Sequence, residues 1–187
     1  MGNLYIGLLH YPMRNRRGEI VTTSMTSMDV HDIARSARTY DVTNYYVITP
    51  MKTQREIARR LKGYWTEDEK KRENSNRGEA LELVLVLDKL EESILDIADR
   101  EEKDPLLIGT SAREFSVPAL TYEDGREKIE DGSRPFYLLF GTGWGMSDEL
   151  IEGLDYLLPP IAGYGDFNHL SVRAAVAITL DRLRGEY

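Results

Sequence analysis

The chain contains no cysteine. That one absence removes disulfides, thiolate zinc sites and cysteine nucleophiles together, and makes a reducing, cytoplasmic compartment the simplest expectation. Histidine is almost as scarce, with three residues in 187. No His/Asp/Glu group has metal-site spacing, and Asp29-Val-His-Asp32 is too short and too helical to wrap an ion, so no metal is expected. No apolar run approaches the roughly 18 residues of a membrane span. The opening MGNLYIGLLHYP lacks the basic segment and small-residue cleavage site of a secretory signal. Met1-Gly2 begins a myristoylation pattern, but Ile6 stands where Ser or Thr is required. Three catalytic signatures are missing as well: a Gly-x-Ser-x-Gly elbow, a Gly-Lys-Ser/Thr phosphate loop and a GxGxxG dinucleotide fingerprint.

What remains is an ordinary globular composition, 41% hydrophobic and 30% charged, of a length that suits one domain spanning residues 1–187. The net charge of −8 is unevenly spread. Residues 1–80 carry 14 Lys/Arg against 10 Asp/Glu, and residues 81–187 carry 10 against 22. An acidic chain does not gather polyanions through its overall field, so any nucleic-acid contact must come from the N-terminal half.

Short apolar runs alternate with helical stretches. Strands are expected at 4–10, 45–50, 81–87, 105–112, 136–141 and briefly after 155. Helices are expected at 27–41, with Ser27 or Asp29 as cap, at 52–65, from Leu90 onward, weakly within 113–134, at 146–155 capped by Ser147, and at 167–187, where Asn168 and Ser171 stand at the start. The segment 67–76 is polar and reads as an exposed connection or a short charged helix. EALELVLVLDKLEESILDIADREE could run as one helix; the β-rich Val84–Leu87 favours strand then helix. Strands alternating with helices imply an α/β fold, a mainly parallel sheet with helices on both faces. Ligands of such sheets bind beyond the carboxyl ends of the strands, which points to 10–24, 49–53, 109–113, 141–147 and 158–168.

Two of those loops stand out. Gly141-Thr-Gly-Trp-Gly145 follows an apolar strand directly; its glycines make either a plain tight turn or a backbone that approaches a ligand closely. Leu158-Pro-Pro-Ile-Ala-Gly-Tyr-Gly165 is stiffened by two prolines and bent by two glycines, and it leads into a helix with small residues at Ala174, Ala175 and Ala177.

Together these loops resemble the second and third motifs of the SPOUT class of RNA methyltransferases, in which a Pro-containing loop opens an SLNVSVAAAI-like helix. Here that helix reads His169-Leu-Ser-Val-Arg-Ala-Ala-Val-Ala-Ile178. The first motif of the SpoU branch, NxGAIxRTAxxFGV, resembles Asp29-Val-His-Asp-Ile-Ala-Arg-Ser-Ala-Arg-Thr-Tyr-Asp-Val42, followed by a strand and Pro50. The chain is most similar to a stand-alone SPOUT subfamily that also occurs joined to the tRNA guanine-N1 methyltransferase.

The resemblance implies a C-terminal trefoil knot, an exception to the rule against knotted chains, and S-adenosylmethionine bent within it. The cofactor residues it implies are Thr110 and Ser111, Gly141, Thr142, Gly143 and Gly145, Leu158, Ile161 and Gly163, with Leu170, Ser171 and Ala174 closing the pocket. It further implies a homodimer through the knot region and an RNA substrate, tRNA or rRNA. The chain departs from SpoU in five places. The Gly-rich loop has no Glu, Asp29 replaces the motif Asn, His169 and Ser171 replace the Ser and Asn of the third motif, and Arg173 replaces a small residue. A non-catalytic RNA-binding or regulatory protein on the same fold is the alternative.

Methyl transfer is a displacement at a sulfonium, so the protein must position the acceptor and take its proton. Arg35 matches the first-motif arginine. Asp29, His169 and His10 are the candidate bases, with Arg35, Asp29 and His169 taken as the catalytic set. Arg14, Asn15, Arg16 and Arg17, in the loop after the first strand, are the candidate RNA contacts, with the basic helix 52–65 nearby. His31 is expected to be structural.

Overall fold

The computed structural model describes residues 2–66, 75–111, 113, 115–165 and 169–186. Its centre is a six-stranded sheet in the order β5-β4-β1-β7-β6-β8, every neighbouring pair parallel. The strands are β1 (Leu4–Leu9), β4 (Asn44–Ile48), β5 (Val84–Leu87), β6 (Leu106–Thr110), β7 (Phe136–Gly141) and β8 (Tyr156–Leu158). β1 and β7 are central and buried on both faces, which is why LYIGLL and FYLLFG read as unbroken apolar runs rather than alternating ones.

Helices cover both faces. On one side α1 (Ser27–Thr39), α2 (Lys52–Thr66), α3 (Ser75–Glu82), α5 (Tyr122–Asp131) and α7 (Val172–Arg184) bury Val30, Ile33, Ala34, Ala58, Ile129, Val176 and Leu180 against Leu4, Ile6, Leu8 and Phe136. On the other, α4 (Leu90–Glu101) and the short α6 (Asp148–Glu152) lie over Tyr5, Tyr46 and Tyr137. Those tyrosines keep their hydroxyls paired: Tyr137 donates to Ser93 Oγ at 2.7 Å, Tyr46 to Asp96 at 2.7 Å, and Tyr5 to Glu101. An aromatic layer can be fully buried only when its polar tips find partners. Gly7 leaves room for this layer, since a Cβ there would lie 2.6 Å from the Tyr137 hydroxyl.

Several expectations need correction. The cap of α1 is Thr26, with Asp29 at the third helical position reaching back to the Thr26 amide. A T-x-x-D capping box satisfies two amides at once, where Ser27 or Asp29 as cap would satisfy one. The strand expected at 81–87 begins only at Val84, because residues 75–82 form α3, which buries Ala80 and Leu81. The last helix starts at Val172, capped by Ser171. Asn168 and most of the polar stretch, residues 67–74, lie outside the described residues. The loop after β1 holds a small hairpin, β2 (Met13–Arg14) with β3 (Ile20–Val21), too short to show a period in the sequence.

Both sheet edges are covered. On β5, Lys62 donates to Val84 O at 2.6 Å and Arg59 to Val86 O at 3.0 Å. On β8, Leu157 donates to Pro118 O and accepts from Leu120. Free edges invite strand addition, and these two are closed to it.

Candidate active site

The three loops that the resemblance marks as cofactor-binding leave the carboxyl ends of β7, β6 and β8, three strands adjacent in the sheet. Thr110 ends β6 and donates to Leu139 O of β7 at 3.2 Å. Ser111 Oγ accepts from the Arg113 amide at 3.0 Å. Gly141 closes β7 so tightly that a Cβ would meet Met146 N and Cγ at 2.8 Å. Gly143 and Gly145 take φ of +62° and +92°, a region that costs an L-residue roughly 1–2 kcal/mol. Leu158 is buried in β8, Ile161 is half-buried, and Gly163 is exposed. Leu170 is exposed before the helix, Ser171 caps it by accepting from the Ala174 amide at 3.3 Å, and Ala174 is half-buried.

The hairpin clamps this Gly-rich loop from the side. Met13 bridges Met146 in antiparallel fashion, the Arg14 amide donates to Gly145 O at 2.9 Å, the Trp144 amide to Arg14 O at 3.3 Å, and the Ser147 amide to Pro12 O at 3.0 Å. The Arg14 guanidinium pairs with Asp148, which Arg113 also holds at 2.9 Å. Those two cations keep the Asp148 carboxyl below its ordinary range. The Asn15 side-chain carbonyl accepts from the Arg17 and Glu19 amides at 2.8 and 3.0 Å, so this side chain builds the turn. Arg16 and Arg17 stand exposed at the tip.

Beneath the loops lies His10, at the end of β1 and with no exposed surface. Its Nδ1 sits 3.1 Å from Thr23 Oγ1 and 3.5 Å from Thr142 Oγ1, and the two threonine hydroxyls bond each other. Thr142 also donates to Leu9 O at 3.0 Å. This group ties the central strand, the hairpin's return and the Gly-rich loop into one unit. Burial pushes the imidazole down to about 4, against an opposing pull from Asp29, so His10 is neutral at physiological pH.

Asp29, also buried, has both carboxylate oxygens engaged. Oδ2 accepts from the Thr26 hydroxyl at 2.6 Å and amide at 3.2 Å, and Oδ1 accepts from Arg173 at 2.8 Å. Arg173 also lies 3.4 Å from Asp32. Arg35 is exposed further along α1, and His169 is exposed just before α7. Of the three candidate bases, His10 and Asp29 are therefore enclosed and His169 lies at the surface. Sequence reading missed the partners: Thr23, Arg113 and Asp148. The T-x-x-D spacing at Thr26–Asp29 was the one available signal for the cap. Nothing in the chain order could pair Asp29 with a residue 144 positions away.

Two hollows lie away from these loops. One, of about 270 Å³, lies at the amino ends of β1 and β4 beside Arg38 and Arg184; the other, of about 520 Å³, lies along β5. Among the described residues no group of three or more His, Asp or Glu is placed to hold a metal, and no helix is long and apolar enough to cross a membrane.

An uncharacterized protein of Aquifex aeolicus is 44% identical over 181 residues, 97% of this chain and 88% of its own. A tRNA (guanine-N(1)-)-methyltransferase of Nitratidesulfovibrio vulgaris is 41% identical over 98% of this chain, which spans 42% of that relative's length. The fold is shared with the SpoU methyltransferase AviRb of Streptomyces viridochromogenes, solved with the cofactor AdoMet: TM-score 0.60, 17% identity, covering 97% of this chain and 56% of that one. Residues 3–185 match the family described as SAM-dependent RNA methyltransferase, and the chain belongs to that family.

Proposed function

We propose that this chain transfers a methyl group from S-adenosylmethionine to a nucleotide of tRNA or rRNA, acting as a cytoplasmic homodimer whose C-terminal part is a trefoil knot. One observation carries the reading: the Thr110–Ser111, Gly141–Gly145 and Leu158–Gly163 loops issue side by side from β6, β7 and β8. These loops suit the cofactor. Nothing stands within 4 Å of where a Cβ of Gly145 or Gly163 would be, and Leu158–Gly163 carries no charge to hold or repel a sulfonium. When bound, the cofactor supplies an electrophilic methyl group.

The protein's own residues have the remaining work. His10, neutral and buried, holds the Gly-rich loop in place through Thr142 and Thr23. Asp29 is a positioning residue: it anchors Arg173, and with it the first turn of α7 that closes the pocket. Arg35, exposed on α1, holds a phosphate of the substrate, and the exposed His169 takes the acceptor's proton. Arg16 and Arg17 provide further phosphate contacts, from the N-terminal half that carries the chain's excess of basic residues.

Two observations support the assembly. β8 lies outside β6 at the sheet edge, yet α7 packs on α1 and α5, the placement that a knotted C-terminal part would give. Met28 and Leu170, exposed by 55% and 47%, flank the Asp29–Arg173 link in sequence and suit a subunit contact. Calorimetric titration with S-adenosylmethionine tests the pocket, and absence of binding at millimolar cofactor sinks it. Incubating labelled cofactor with total RNA tests the transfer; labelled RNA supports it, and binding without transfer favours a regulatory protein on the same fold.

A further inference from the structure

We propose that Trp144 is a stacking platform for an unpaired base of the RNA substrate, with Arg16 and Arg17 gripping the adjoining phosphates. The proposal rests on the RNA-methyltransferase reading and narrows its substrate to single-stranded or looped RNA. Trp144 is 59% exposed although its loop is well anchored. Its amide donates to Arg14 O, and the Gly145 amide returns to Thr142 O at 3.1 Å. The flanking residues Gly143 and Gly145 both have positive φ, so the chain turns sharply on either side and holds the indole outward. An exposed indole on a rigid loop loses little conformational freedom when it binds a flat partner.

The surroundings select the partner. The antiparallel register that pairs Met13 with Met146 sets Trp144 beside the hairpin tip, where Arg16 and Arg17 are exposed. Arg14 is occupied by Asp148, and Glu19, the acidic residue of the hairpin, is turned to the Asn15 amide at 2.7 Å. The tip therefore presents two arginines and an indole together. Stacking on an aromatic face with arginines along the backbone is how proteins hold unpaired nucleotides. Duplex RNA keeps its base faces stacked inside the helix and offers this surface only phosphates.

The test uses the full chain and a short heteropolymeric RNA oligonucleotide, either single-stranded or annealed to its complement. Trp144→Ala should weaken single-strand binding roughly 10- to 100-fold, leave its salt dependence and the affinity for S-adenosylmethionine unchanged, and be largely rescued by Trp144→Phe. Replacing Arg16 and Arg17 by Ala should instead lower the salt slope by roughly 0.7 for each phosphate no longer neutralised. Unchanged RNA affinity in Trp144→Ala overturns the proposal. So does a loss of cofactor affinity, which would put the indole in the cofactor pocket, or a change in oligomeric state, which would put it between subunits. If the wild-type protein binds cofactor but neither RNA, the underlying reading fails and the proposal falls with it.

Discussion

Arg173 donates to the Asp29 carboxylate at 2.8 Å and so joins the first turn of α7 to the first turn of α1. Both residues depart from the SpoU motifs, an Asn replaced by an acid and a small residue replaced by a base, and each departure is the other's partner. A buried carboxylate without a counter-charge is costly, so the two changes are stable together and not singly.

Arg173→Ala should therefore destabilise the fold by about 2 kcal/mol, read from the urea midpoint. Asp29→Asn should cost less, about 1 kcal/mol, because Asn can still reach the Thr26 amide. A double-mutant cycle checks the coupling: additive losses would show that the two side chains act independently.

Gly141→Val should abolish measurable cofactor binding. Its Cβ would meet the Met146 backbone nitrogen at 2.8 Å, so the Gly-rich loop must move off β7. Circular dichroism would check that the sheet survives, and calorimetry would read the affinity. Wild-type affinity in a folded Gly141→Val protein would move the pocket elsewhere.

His10 makes stability depend on pH. Its folded value, about 4, lies below the unfolded value near 6.5, so between these the unfolded chain takes a proton that the native state refuses. Stability contributed by the neutral imidazole is fully present above about pH 6.5 and declines as pH falls toward 4, by about 3 kcal/mol in all. His10→Asn should flatten that part of the stability profile, and an unchanged slope would assign it to other groups.

Arg59 and Lys62 guard the β5 edge. Replacing both by Glu should uncover the Val84 and Val86 carbonyls and raise the aggregation rate several-fold, measured by light scattering, with little change in cofactor affinity. An unaltered rate would mean that the edge is protected by other means.

The legible parts of the chain were those where local pattern and fold agree. β7 was placed to the residue because Phe136–Gly141 is apolar throughout and ends at a glycine. Ser147 was recognised as a cap because it stands immediately before a short helix, and it accepts from the Leu150 amide at 3.2 Å. The end of α3 was taken into the strand because only Glu82 separates Leu81 from the apolar Leu83–Leu87, and periodicity cannot divide so short a stretch. The hairpin was read as a loop with three arginines. Its position against the Gly-rich loop, and the capture of Arg14 by Asp148, depend on residues 134 positions apart.

The sequence alone determined the α/β class, the order of the loops at the carboxyl ends and the family motifs, because each is written in contiguous residues whose spacing fixes local geometry. Tertiary structure decided which of the marked side chains remain available. It enclosed His10 between two threonines, committed both oxygens of Asp29 to Thr26 and Arg173, committed Arg14 to Asp148 and Asn15 to the hairpin turn, and left Arg16, Arg17 and Arg35 at the surface. Availability is a matter of burial and pairing between distant segments, and only the folded chain brings those segments together.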